Sequence, residues 1–244
     1  MIDTTGAYPV ADEFEQLYIS LRQKEGRIYK DEEVASLPFI HRDHPNAKEW
    51  EIRARTFKKI LSHIKRKDTG LNILEVGCGN GWLSAQLAAA STGTVIGIDI
   101  NNTELEQAKR VFRKHSNLRF IYGDLRNAVL GNTKFDIILF AASIQYFSSL
   151  KEVTDTALKY LATGGEMHIL DSHFYRQKEI AAAKQRSSEY YSSIGFSELA
   201  MYYHHHSIEA LNEYQHIILE DPYSWKNKLS VRKYPFHWVL IKNK

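Results

Sequence analysis

Along most of this chain the apolar residues follow two alternating rhythms, short continuous runs and stripes at helical spacing. Between residues 71 and about 171 the runs lie at 73–76, 95–98, 118–122, 135–140 and 167–170, with amphipathic stretches between them. That alternation predicts parallel strands covered on both faces by crossover helices. Thr103 with Glu106, and Ser149 with Glu152, have the Ser/Thr-x-x-Glu spacing of a helix-opening capping box. Gly164 and Gly165 then predict the end of the second of these helices. Ahead of the sheet, Trp50, Ala54, Phe57, Leu61 and Ile64 line one stripe of a helix over residues 46–67, with Lys and Arg on its other face.

The two ends of the chain read differently. In residues 1–45, Phe14, Leu17, Tyr18 and Leu21 mark a short helix, followed by a proline-bearing loop around 37–45. A further helix is expected over about 176–194, closed by Gly195, then irregular histidine-rich sequence and strand candidates at 215–219 and 237–241. The connection between those two strands carries two prolines and no helical period, which predicts an antiparallel pair at the sheet edge. The expected fold is α/β, a seven-stranded, mostly parallel sheet with helices on both faces, an antiparallel edge hairpin and an N-terminal helical segment. Residues 1–45 are expected to form a helical cap, 46–244 the main domain, and 172–212 an insertion that joins the cap.

With 43% apolar and 25% charged residues in 244, the proportions are those of a globular protein of one domain with additions. Lys and Arg number 32 against 29 Asp and Glu, a net charge of +3. That is too small for the strong basic field that holds a protein on nucleic acid, so no nucleic-acid partner is indicated. Cys78 is the single cysteine, which rules out an internal disulfide. No apolar stretch approaches a membrane span, and the opening residues lack the pattern of a secretory signal. A cytoplasmic location is the expectation.

The densest chemistry lies where the first apolar run enters three alternate glycines, Ile73-Leu-Glu75-Val-Gly77-Cys78-Gly79-Asn-Gly81-Trp82. Such glycines open backbone angles closed to other residues and let a ligand lie against the main chain. Asp99 ends the next run, where a carboxylate can accept hydrogen bonds from both hydroxyls of a ribose. Asp124 ends the third and is placed to accept from an exocyclic adenine amine. Together these features call for an adenosine-like ligand. A dinucleotide fingerprint, G-x-G-x-x-G, would need a glycine where Trp82 stands, so the nicotinamide reading fails.

The segment resembles instead the E/D-x-G-x-G-x-G motif of class I S-adenosylmethionine-dependent methyltransferases, matched by Glu75, Gly77, Gly79 and Gly81. The likeness extends through Asp99, Asp124, the fourth strand and the Gly164-Gly165 turn, over roughly residues 46–242. It implies a Rossmann-like fold with S-adenosylmethionine as cofactor and S-adenosylhomocysteine as product. It further implies that Glu75 and the loop from Gly77 through Cys78 and Gly79 to Gly81 receive the methionine portion. Asp99 would hold the ribose, Ile100 would pack on the adenine, and Asp124 with the Leu125 backbone would read the adenine edge. The carbonyl of Phe140 or Ala141 would hold the ammonium.

After the fourth strand, Ala141-Ala-Ser-Ile-Gln145-Tyr146-Phe147 lacks the Asn/Asp-Pro-Pro-Tyr/Phe pattern of amino-methylating nucleic-acid and glutamine enzymes. It also has no Pro-Cys nucleophile, and no glutamate pair arranged as in arginine methyltransferases is found. The segment is most similar to small-molecule methyltransferases of the ubiquinone and menaquinone biosynthesis type. An RNA or protein methyltransferase, or a non-catalytic cofactor-binding regulator or assembly subunit, is the alternative. Beyond the fifth run, His173 is the first choice of base, although a polar loop histidine is the simpler account of it. Tyr146 is expected at the pocket mouth, and Gln145, Arg176, Arg186 and Tyr190 are candidate substrate contacts, the last three also explicable as helix surface. His204, His205 and His206 point in different directions and lack a companion ligand cluster, so no metal is expected.

Overall fold

A computed structural model describes residues 9–67, 70–126 and 130–242. The chain opens with helix α1 (Pro9–Lys24), the short α2 (Asp31–Ser36) and α3 (Ala47–Lys65), and then enters an alternating series. The series runs β1 (Ile73–Val76), α4 (Trp82–Ala90), β2 (Val95–Asp99), α5 (Asn102–Val111), β3 (Leu118–Tyr122), β4 (Phe135–Ala141), α6 (Leu150–Tyr160) and β5 (Leu161–Ser172). The last third holds β6 (Phe174–Tyr175), α7 (Ile180–Ser193), β7 (His206–Ser207), β8 (His216–Glu220), α8 (Trp225–Leu229) and β9 (His237–Lys242).

Seven strands form one sheet in the order β3-β2-β1-β4-β5-β9-β8. The pairings among β1 to β5 are parallel, while β9 runs antiparallel to both β5 and β8. Alternate residues feed two cores. Leu74, Val76, Ile138 and Phe140 pack with Leu150, Val153 and Ala157 of α6. Ile73, Ile137 and Leu139 pack with Trp50, Phe57, Ile60 and Ile64 of α3 and with Leu83 and Leu87 of α4. Because β1 lies between β2 and β4, the strand order reverses there, and a crevice opens beyond the carboxyl ends of the strands.

Two local readings of the sequence need correcting. The helix after β2 opens two residues before the expected box, since Asn101 is the cap and its Oδ1 accepts from the Glu104 N–H at 2.9 Å. Thr103 instead donates its N–H and hydroxyl to Glu15 on α1, at 2.9 and 2.8 Å. Ser149 caps α6 as its spacing predicts, accepting from the Glu152 N–H, but that helix ends at Tyr160. Leu161 already pairs with Phe135, and the register then shifts so that Ile137 pairs with Glu166. Gly164, at φ 74°, therefore turns a strand within that shift rather than closing a helix. The two-residue parallel pair β6–β7 is too short to leave a periodic trace in sequence.

At the opposite end of β5 from the crevice, Glu166 ties the strand to α3. Its Oε2 lies 2.8 Å from His63 Nε2 and its Oε1 lies 2.9 Å from Lys67 Nζ. His168 Nε2 stands 3.3 Å from the same carboxylate. These side chains form a cluster of metal-ligand type, but the second ring nitrogen argues against that use. Trp238 Nε1 donates to His168 Nδ1 at 3.1 Å, so the neutral ring carries its proton on Nε2, where a metal would need a lone pair. The cluster is a hydrogen-bonded clamp.

Two pH windows follow. Burial lowers the His168 pKa, so stability present above the ordinary histidine value of about 6.5 is lost as the pH falls through it and the unfolded chain takes up the proton. For Glu166, burial is outweighed by His168, His63 and Lys67, which hold the carboxyl below its usual range. Its contribution is present above about pH 4.5 and is lost below that. Glu166→Ala is expected to cost about 2–3 kcal/mol at neutral pH, and urea titrations at about pH 7, 5.5 and 4 should show the variant's deficit shrinking at the lowest pH. A deficit independent of pH would contradict the assignment.

Candidate cofactor site

Two adjoining cavities open at the carboxyl ends of β1, β2 and β4, where ligands bind in open α/β sheets. Gly77, Gly79 and Gly81 have φ of 74°, 52° and 73°, left-handed values that strain any other residue. A Cβ on Gly77 would come within 2.4 Å of Ser143 Cβ, so the loop can pass beneath the turn that follows β4 only as glycine. Ser143 holds that turn by donating its hydroxyl to the Val76 carbonyl at 2.6 Å.

The first cavity is lined by Glu75, Cys78, Asn80 and Ala141, by Glu49, Trp50 and Arg53 of α3, and by Tyr18 and Arg22 of α1. Glu75 accepts from the Ser84 hydroxyl, and burial pushes its carboxyl up to about 8. Arg53 donates from Nε and Nη2 to Glu49 at 3.1 and 3.0 Å. Burial opposes its charge, but Asp171 and Glu49 outweigh that and raise its pKa. Arg22 donates to the Tyr18 hydroxyl at 2.8 Å and lies 4.6 Å from the centre of that ring.

The second cavity is lined by Asp99, Ile100, Asn101, Asp124, Phe14, Tyr146 and Phe147. Asp99 Oδ2 accepts from the Gly79 N–H at 2.7 Å and Oδ1 from the Asn101 N–H at 2.8 Å. This carboxylate therefore braces the glycine loop and still has lone pairs for a ligand. Burial raises its pKa despite those bonds. Asp124 also lines this cavity, with both of its oxygens accepting from Arg126 at 2.8 and 2.9 Å.

Glu75, Gly77, Cys78, Gly79, Asp99, Ile100, Asp124, Ala141 and Tyr146 thus all line one cavity or both. Other candidates are placed elsewhere. Gly81 turns its hydrogens to Phe120 and Ala108, and the side chains of Leu125 and Phe140 are in the core, leaving only their backbones for a ligand. Gln145 is spent on the loop, donating to the Ala142 carbonyl at 2.6 Å and accepting from Ser172 at 3.0 Å. Neither cavity is lined by His173, whose ring lies 4.7 Å from that of Phe236. The backbone of Arg176 opens a short helical turn on the surface. Arg186 and Tyr190 share a separate surface hollow on α7 with Tyr191 and Tyr203. The rings of His205 and His206 go to different partners, Ser187 and the Ile144 carbonyl.

Sequence reasoning missed Tyr18, Arg22, Glu49, Arg53 and Glu104. Tyr18 and Arg22, like Glu49 and Arg53, stand four apart, one turn of helix. That spacing is a signal, but solvated helix pairs share it.

The donor set suits a ligand that is cationic at its centre and zwitterionic at one end. Acids Glu75, Asp99 and Glu104 line the cavities with the glycine loop, and arginines Arg22 and Arg53 line the first of them. The fold and the glycine-loop crevice with its terminal acids define a Rossmann-like class I methyltransferase. The chain belongs to the methyltransferase domain family, whose profile matches residues 67–230. It is 28% identical over 116 residues to an O-methyltransferase of Pyrenophora dematioidea, covering 46% of this chain and 43% of that protein. It is 27% identical over 124 residues to a demethylmenaquinone methyltransferase of Staphylococcus saprophyticus, covering 48% and 52%. The chain therefore spans only about half of each relative. Magnesium protoporphyrin IX methyltransferase of Synechocystis, solved with bound SAH, shares the fold at a TM-score of 0.59 and 12% identity over 96% of both chains. Among the described residues no helix is long and apolar enough to cross a membrane.

Proposed function

We propose that the acceptor is a small molecule with an O, N or C nucleophile, methylated beneath a cover built from residues 9–45 and 172–212, residues 1–8 of the expected cap lying outside the described residues. The observation that carries this reading is the aromatic wall between those segments. Phe14 of α1 lies 5.1 Å from Tyr202 and 5.6 Å from Tyr146, and Tyr146 lies 6.2 Å from Tyr203. Leu21 joins Tyr191 and Leu199 in one buried cluster. Such a wall encloses a compact apolar acceptor better than it admits a folded macromolecule.

In this proposal Glu75, the loop from Gly77 to Gly81 and the Ala141 backbone hold the methionine portion, with Arg22 and Arg53 toward its carboxylate. Asp99, Ile100 and Asp124 hold the adenosine. When bound, the cofactor supplies an already electrophilic methyl group. The chain's residues then have mainly to align the nucleophile and exclude water, an effect worth roughly 7–11 kcal/mol. Tyr146, at the wall of the second cavity, is the residue proposed to meet the acceptor. No base role is assigned to His173, whose ring lies against Phe236 and lines neither cavity.

Arg53→Leu is expected to weaken S-adenosylmethionine binding by about 2 kcal/mol, the size of a lost charged hydrogen bond; calorimetry giving an unchanged affinity would remove Arg53 from the site. The acceptor class is tested by incubating the chain and methyl-labelled cofactor with a whole-cell extract. Label should appear in metabolites that gain one methylene unit. Label confined to the protein or RNA fraction would refute the small-molecule reading.

A further inference from the structure

We propose that Glu104 sets the preference of this site for the sulfonium cofactor over its thioether product, by placing a carboxylate at the waist where the two cavities meet. The inference rests on the reading above, with adenosine on the Asp99 side and the methionine portion on the Glu75 side.

Five residues line both cavities, namely Tyr18, Gly77, Gly79, Glu104 and Ala142. Glu104 alone among them is an acid. A ligand with a nucleoside at one end and an amino acid at the other has its sulfur at the waist between them. Loss of the methyl group turns that sulfur from a permanent cation into a neutral thioether and leaves ammonium, carboxylate, ribose and adenine unchanged. Glu75, Asp99, Arg22 and Arg53 face portions common to both molecules, so they cannot discriminate between them. A carboxylate at the waist can.

The side chain is held for this purpose. From the first turn of α5 it folds back over the loop, its Oε2 only 3.2 Å from where a Cβ on Gly79 would stand, and it accepts from the Asn101 amide at 3.2 Å. The arginines of the site also pair with other acids, Arg22 with Glu25, and Arg27 and Arg53 with Glu49, and none of them pairs with Glu104 in these contacts. The charged groups that act on Glu104 are Asp99 of β2, Glu15 and Arg22 of α1, and Arg53 of α3. Burial first, then Asp99 and Glu15, push its carboxyl up to about 7, against the pull of Arg22 and Arg53. Near neutral pH the group is therefore part-protonated in the free protein, and an arriving cation favours its ionised form. Once the methyl has left, that attraction is gone and the product is released more readily.

The test is calorimetric titration of the full chain and its E104Q and E104A variants with S-adenosylmethionine and, separately, S-adenosylhomocysteine, at several pH values around 7. Both variants should bind the cofactor about tenfold more weakly, with product affinity changed less than about threefold. In the wild-type chain the cofactor-to-product affinity ratio should rise as the pH passes upward through about 7, as Glu104 ionises, and in both variants it should stay flat. Glu75 and Asp99 titrate against groups shared by both ligands, so their effects cancel in this ratio. Equal weakening of both ligands, or no weakening of either, would overturn the proposal. Failure of the wild-type chain to bind either ligand would overturn the cofactor reading, and this assignment with it.

Discussion

Replacing Asp99 by alanine is expected to weaken binding of S-adenosylmethionine by about 3 kcal/mol, more than a hundredfold in Kd. Two losses combine. The variant lacks the charged acceptor for the ribose hydroxyls, whose bonds to a carboxylate are about twice as strong as to a neutral group. It also frees the Gly79 and Asn101 N–H groups that Asp99 braces at 2.7 and 2.8 Å, so the loop must be ordered by the ligand itself. Asp99→Asn keeps an acceptor oxygen and the shape, and is expected to fall between the two. Titration calorimetry checks both variants. An Asp99→Ala affinity within a factor of three of wild type would show that the carboxylate neither holds the ribose nor organises the loop.

The second large effect is expected at Gly81, and it is one of stability. At φ 73° a side chain is strained, and a Cβ would come within 2.5 Å of the Phe120 ring and 2.8 Å of Ala108. Backbone strain of this kind costs about 1–3 kcal/mol and overpacking a similar amount. Gly81→Ala should therefore lose about 3–5 kcal/mol, lowering Tm by roughly 10 °C in a domain of this size. A thermal melt within a degree or two of wild type would mean that β3 and α5 draw back at little cost. Gly131, at φ 58° with nothing within 4 Å, is the natural control, since its alanine variant carries strain without the clash.

These two positions also show what the chain discloses before it folds. Gly81 and Asp99 were legible because their chemistry is local, an alternate-glycine loop at the end of one apolar run and an acid at the end of the next. The parallel strands followed from the same alternation, and the antiparallel β8–β9 pair from a proline-bearing connection; the order of the strands did not. Arg53 was hidden for the opposite reason. Its helix reads as amphipathic with cations outward, yet the helix's N-terminal half overhangs the crevice and turns this residue inward to Glu49. Tyr18 and Arg22 come from a helix far away in sequence, and only packing of α1 against Tyr146 and Tyr202 brings them to the glycine loop. His173 and Gln145 were the converse case. Both lie near strand ends that face the site, but His173 packs against Phe236 and Gln145 accepts from Ser172, contacts made by segments distant in sequence for the first and across the β4–β5 pair for the second.

Trp50 and Trp82 meet edge to face at 5.5 Å on the wall of the first cavity, whereas Trp225 is 68% exposed and Trp238 is hydrogen-bonded to His168. The crevice thus carries a built-in optical reporter. Emission from the coupled indole pair should shift or quench as a ligand displaces water beside it, giving occupancy by stopped-flow fluorescence without a dye and before any acceptor is known.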